Sequence, residues 1–162
     1  MATQVLFLCT RNSARSIMAE AMLNALGGGR FKAYSAGSEP LGRVHPLAIE
    51  LLNRHGYDTT GARSKDWSEF TRANAPHLDY VISLCDESAE EGCPVFPGTP
   101  VRAHWPISDP AAVQGSADVQ RRAFLESLGD LRRRVQRFTG LPFESIDARV
   151  MGSLVQEIGS DA

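Results

Sequence analysis

The chain has 162 residues, enough for one domain with its own core, and its 43% hydrophobic and 22% charged content is ordinary for a globular protein. Its 17 Lys and Arg against 19 Asp and Glu leave a net charge of −2, so no overall basic field points to nucleic acid. No run approaches the ~18 apolar residues of a membrane helix, and three cysteines are an odd number for a disulfide scaffold.

The first residues, Met1-Ala2-Thr3-Gln4, carry no charge ahead of a short apolar run, so no signal peptide is expected and the thiols point to a reducing cytoplasm. Residues 4–9 read as a buried strand, with Val5, Leu6, Phe7 and Leu8 apolar on both faces. A helix follows from Arg15 to Leu26, its inner side formed by Ile17, Met18, Ala21, Met22, Ala25 and Leu26, and Gly27-Gly28-Gly29 stops it. Phe31 to Ala36 is a second strand closed by Gly37. His45-Pro46 opens a helix with Ala48, Ile49, Leu51 and Leu52 inward, and Gly56 ends it. Leu78 to Leu84 is a third strand with Cys85 at its carboxyl end.

Residues 86–100, rich in acids, prolines and glycines, read as a loop. Val101 to Trp105 is a short fourth strand, and Asp109-Pro110 falls in the loop beyond it. Phe124, Leu128, Leu131, Val135 and Phe138 form a helical stripe backed by Arg121, Arg132, Arg133 and Arg137, which read as a solvated face. Ile146, Val150, Leu154 and Ile158 step by four and predict a last helix. Strands alternating with helices imply one α/β domain over residues 1–162: a four-stranded parallel sheet with helices on both faces, a three-layer sandwich. Ligands bind such sheets beyond the carboxyl ends of the strands, where Cys9, Cys85 and Asp109 all fall.

The stretch from Cys9 to Ser16 is Cys-x5-Arg-Ser at a strand-to-helix turn. Backbone N–H groups of Thr10, Arg11, Asn12, Ser13 and Ala14 can converge there on one anion, helped by the positive end of the helix. Arg15 can close its guanidinium fork on two oxygens of that anion. The same field is expected to lower the Cys9 pKa and make a thiolate nucleophile, with Ser16 hydrogen-bonded to it and Asn12 holding a left-handed turn. The competing reading is a buried structural cysteine at a strand end. The phosphate loop of nucleotide triphosphatases is absent from the sequence.

Asp109, if it sits beside the loop, can protonate a departing oxygen; read from the Asp-Pro dipeptide alone, it caps a turn. Cys85 and Cys93 are joined by a polar stretch that can bring them to disulfide distance. Two cysteines without a nearby His pair make a poor zinc set, and His45, His55, His77 and His104 are scattered.

Taken together, Cys9 to Ser16 with Met18-Ala19-Glu20, Tyr34-Ser35-Ala36-Gly37, and Val81 through Cys85, Cys93-Pro94 and His104-Trp105 to Asp109-Pro110-Ala111 resemble the thioredoxin-type arsenate reductases, which share the low-molecular-weight tyrosine phosphatase fold. Two departures separate the chain from the phosphatases of that fold: Ile17 stands where they carry Pro, and Ala111-Ala112-Val113 where they carry tyrosines. The resemblance implies that Cys9 attacks arsenate held by the loop and Arg15, and that Asp109 protonates the leaving hydroxyl. Cys85 then attacks the Cys9 sulfur, arsenite leaves, and Cys93 moves the disulfide outward to an external thiol reductant of thioredoxin, glutaredoxin or glutathione type. Phosphate and sulfate would compete for the loop. No tightly bound cofactor is implied, except that some relatives bind potassium at positions matching Asn12, Glu20, Ser35 and Asp66. The rival readings are a phosphotyrosine or small-phosphoester phosphatase, and an inactive anion sensor or phosphocarrier.

Overall fold

A computed structural model of the chain describes residues 2–85 and 94–160. Four strands, β1 (Thr3–Leu8), β2 (Phe31–Ala36), β3 (Tyr80–Ser83) and β4 (Val101–His104), form one sheet in the order β2-β1-β3-β4. All three pairings are parallel: Val5 lies opposite Ala33 and Tyr80, and Tyr80 opposite Val101. The helices are α1 (Arg15–Leu26), α2 (Pro46–Arg54), α3 (Ala117–Thr139) and α4 (Ala148–Ile158), with 3-10 turns at Trp67–Phe70 and Pro110–Ala112. This is the α/β fold that the alternating pattern predicts.

The two faces of β1 seed two cores, as a strand apolar on both sides must. Val5 and Phe7 join Tyr80, Ile82 and Ala103 against the inner residues of the four described α-helices. Leu6 and Leu8 join Val81, Leu78, Phe96 and Phe70, so among the described residues the second face is covered by the 3-10 turn at 67–70 and by the segment carrying Phe96. Trp105 has no exposed surface and tilts against Phe7 and Phe138, with ring centroids 6.0 and 5.8 Å away. Its indole N–H donates to Val155 O at 2.8 Å, which pins α4 to the end of β4.

The α3 stripe is inward as expected: Phe124, Leu128, Leu131, Val135 and Phe138 are all buried. One helix turns differently from its expected face. In α1, Ala25 is exposed, while Ala19 and Leu23 are buried, because α1 packs against β1, β2, α2 and α3 together and not on one stripe. In α4, Val150 is 46% exposed, and the buried set is Met151, Val155 and Ile158. Steps of four overshoot a full turn by ~40° each, so a run of them winds off the contact line, whereas +4 then +3 stays on it. Ile146 precedes the helix, which starts after Asp147, whose carboxylate accepts from the N–H groups of Arg149 and Val150 at 3.0 Å.

Candidate active site

The turn after β1 runs from Cys9 to Ala14 and feeds directly into α1. Its carbonyls are turned outward and held there. Thr10 O accepts from Glu39 N, Arg11 O from Leu41 N, and Ser13 O from His45 N, each at 2.9 Å. In a trans peptide the following N–H points opposite to its carbonyl, so the amides of Arg11, Asn12 and Ala14 face the other way. The cap residue of α1, Ala14, offers no side-chain acceptor, and the first turn carries no acid. The helix N-terminus is therefore left to serve an anion. Thr10, Asn12, Ser13 and Ala14 are buried, and Arg11 is the exception: its side chain points out toward Glu39, 4.0 Å away, so it can contribute only its backbone.

Gly37, at the end of β2, makes this turn possible. A Cβ there would meet Thr10 O and lie 2.6 Å from Cys9 O, both rigid backbone atoms. Gly37 N–H also donates to Lys65 O, and Gly37 O accepts from Trp67 N–H, each at 3.0 Å, so residues 65–67 are laced to the floor of the turn.

Asn12 has the left-handed φ of 47° expected for it. A directed hydrogen-bond chain runs through it to the thiol. Lys65 N donates to Asn12 Oδ1 at 2.8 Å, and Asn12 Nδ2 donates to Ser16 Oγ at 2.8 Å. With its oxygen already accepting, Ser16 has its own proton to give to Cys9 Sγ, 2.9 Å away. The expected low pKa does not follow. Cys9 is 2% exposed, and burial pushes its thiol above the ordinary range, outweighing the pull of Ser16, of Arg15 and of the amides of Ser16 and Asn12.

Arg15 is buried in the first turn of α1 and is aimed by Ile107, whose carbonyl accepts from Nη1 at 3.1 Å. Its Nη2 lies 3.6 Å from Asp109 Oδ2. Asp109 caps the 3-10 turn as its dipeptide suggests, Oδ1 accepting from Ala111 N at 3.0 Å, while Oδ2 faces Arg15. Cys85, just past β3, is buried with its Sγ 3.4 Å from Thr10 Oγ1. Arg15, Leu84, Cys85, Ile107, Asp109 and Ala112 line one cavity of about 390 Å³. Cys93 lies outside the described residues.

This thiol–guanidinium–carboxyl cradle at the carboxyl end of a parallel sheet is matched by a family model, that of the low molecular weight phosphotyrosine protein phosphatases, over residues 4–149. The chain belongs to that family. Within it, the arsenate reductase of Bacillus subtilis (strain 168) is 34% identical over 134 residues, covering 83% of this chain and 93% of the relative. A solved arsenate reductase in a phosphate-binding state superposes with a TM-score of 0.66 at 33% identity, over 85% of this chain and 96% of the other. A tyrosine phosphatase from Escherichia coli K30, in complex with sulphate, shares the fold with a TM-score of 0.67 at 22% identity, over 86% of this chain and 97% of the other.

At the positions that the resemblance gives for potassium, Asn12, Glu20, Ser35 and Asp66, each side chain is engaged within the protein. Asn12 Oδ1 is taken by Lys65 N, and Asp66 Oδ1 caps the 67–70 turn by accepting from Ser68 N at 2.8 Å. Ser35 Oγ donates to Glu20 Oε1, and the Lys65 ammonium stands beside both, 3.4 Å from Ser35 Oγ and 3.9 Å from Glu20 Oε1. The set already holds a cation of its own. Sequence reading passed over Lys65 and the Ile107 carbonyl. Neither carries a motif, because each reaches the site only through the packing of a distant segment.

Proposed function

We propose that this protein reduces arsenate to arsenite in the cytoplasm, using Cys9 as nucleophile and Cys85 as the second thiol of an internal relay. The observation that carries this reading is the position of Cys85, against the cradle residue Thr10 and in one cavity with Arg15 and Asp109. A hydrolytic phosphatase has no use for a second buried thiol there. The 34% identity to a named arsenate reductase over most of both chains supports the same choice.

Arsenate enters the cradle with its oxygens on the loop amides and the Arg15 fork. Because burial favours the protonated thiol, the arriving dianion itself is the base that takes the Cys9 proton. Cys9 sulfur bonds to arsenic, and the As–OH bond breaks. Asp109 relays the proton taken from Cys9 to the leaving oxygen, so that water departs. Releasing Asp109 from Arg15 is coupled to this step, since the incoming anion competes for the same guanidinium. Cys85 then attacks Cys9 sulfur: an S–S bond forms and the S–As bond breaks. The electron pair stays on arsenic, which leaves as arsenite carrying the Cys85 proton. Cys93 attacks the Cys9–Cys85 disulfide at Cys85, and a thioredoxin- or glutaredoxin-type dithiol reduces the disulfide that results.

Arsenite formation by wild type and Cys85→Ser, supplied in parallel with thioredoxin and glutaredoxin systems, tests this reading. Turnover that collapses in Cys85→Ser with every donor is expected. Undiminished turnover in that variant would remove the relay. No arsenite with either donor, alongside steady p-nitrophenyl phosphate hydrolysis independent of Cys85, would make the protein a phosphatase.

A further inference from the structure

Lys65 is 8% exposed, and Glu20 is largely buried beside it. Lys65 meets the oxyanion cradle through its backbone N–H, and a buried ion pair is costly to keep unless its geometry is closely matched. Three oxygens surround the Lys65 ammonium: Arg63 O at 2.8 Å, Ser35 Oγ at 3.4 Å and Glu20 Oε1 at 3.9 Å. Two of its protons have acceptors within hydrogen-bond reach, Arg63 O and Ser35 Oγ, and Glu20 Oε1 stands at ion-pair distance. Burial pushes the Glu20 carboxyl up and the Lys65 amine down, and each charge opposes that push on the other. Other charged groups nearby are Lys32 and Arg63, and Arg63 is itself engaged with Glu69 at 2.9 Å.

The same residue reaches the catalytic thiol through its backbone. Lys65 N–H is the donor that fixes Asn12 Oδ1, and Asn12 orients Ser16 on Cys9. Holding the ammonium therefore holds the start of the chain that ends at the nucleophile. We propose that Lys65 is a positioning residue whose ammonium is the resident monovalent cation of the cradle, making oxyanion binding independent of added potassium. This inference rests on the cradle binding an oxyanion and not on what chemistry follows.

It has a consequence for the two obvious truncations. Lys65→Ala removes the cation and leaves Glu20, Ser35 and the Arg63 carbonyl as an anionic notch of cation size. Lys65→Met removes the charge while filling the space. Lys65→Arg keeps the charge. Titration calorimetry with inorganic phosphate, and thermal melting, can be run at one ionic strength set by potassium chloride or by choline chloride.

Wild type and Lys65→Arg are expected to bind phosphate equally in both salts. Lys65→Ala should bind about tenfold more weakly in choline, the lower end of what losing a supporting shell costs, and should recover both affinity and melting temperature in potassium. Lys65→Met should be weakened in both salts. Potassium raising wild-type affinity severalfold over choline would overturn the assignment. So would a Lys65→Ala variant that binds as wild type in choline, or one equally weakened in both salts. Because phosphate binding and melting are read without turnover, a failure here is distinct from a failure of the arsenate reading.

Discussion

Replacing Asn12 by Ala removes two buried hydrogen bonds and a tolerated left-handed turn at one stroke. Lys65 N loses its only acceptor named at this site, Asn12 Oδ1, and a buried N–H without a partner costs about 1–3 kcal/mol. The φ of 47° suits Asn but not Ala, which adds roughly 1 kcal/mol. A central cost of ~3 kcal/mol corresponds, at about 2–4 °C per kcal/mol for a chain of this size, to a fall of roughly 6–12 °C in melting temperature. Ser16 also loses the donor that commits its proton to Cys9, so the pull on the thiol weakens and iodoacetamide modification of Cys9 should slow. Asn12→Asp keeps an acceptor for Lys65 N and tolerates the turn, so it should melt closer to wild type while sharing the loss at Ser16. Differential scanning calorimetry and a mass-resolved alkylation rate read the two effects separately. An Asn12→Ala protein melting within about 2 °C of wild type would refute the argument, since no orphaned donor of ordinary cost is that cheap.

Gly37→Ala should be at least as damaging as an ordinary overpacked core, about 1–3 kcal/mol, because the added Cβ meets the carbonyls of Cys9 and Thr10, and Thr10 O is tied to Glu39 N. Phosphate binding should fall with stability, and a variant that melts and binds as wild type would show that the turn is free to move. The pH profile of Cys9 alkylation in the anion-free protein should still be rising above pH 9, the ordinary thiol value that burial exceeds. The sign follows from the thiolate being the reactive form and burial favouring the thiol. A profile already saturated at about pH 7 would mean that the loop amides, Ser16 and Arg15 outweigh burial, and that Cys9 meets arsenate as a thiolate.

Local pattern was enough for much of this molecule. The double-faced apolar run of β1, the Cys-x5-Arg turn into α1 and the +4, +3 stripe of α3 each contain their own physics within a few residues. They fold as written, because an apolar strand must be covered on both sides and a helical stripe must find a partner. Asn12 could be assigned its turn from its side chain alone, and Asp109 its cap from the dipeptide. The steps of four predicted the helix α4, and its contact line with β4 and Trp105 chose Met151, Val155 and Ile158 as the buried face.

What the sequence could not carry was every effect produced by segments meeting across the fold. A helix N-terminus and an arginine argue for a lowered Cys9 pKa, but burial is a property of the whole packed molecule, and it reverses the direction. Lys65 looks like any loop lysine until parallel pairing of β2 with β1, and the bridge from Gly37 to Asp66, bring it under the turn beside Glu20 and Ser35. Cys85 and Thr10 are 75 residues apart and touch only because β3 pairs with β1 in a register that ends both strands at the same level. The sequence alone determined which chemical groups the site would contain; their distances, burial and resident charge were decided by strand order and register, which no short stretch encodes.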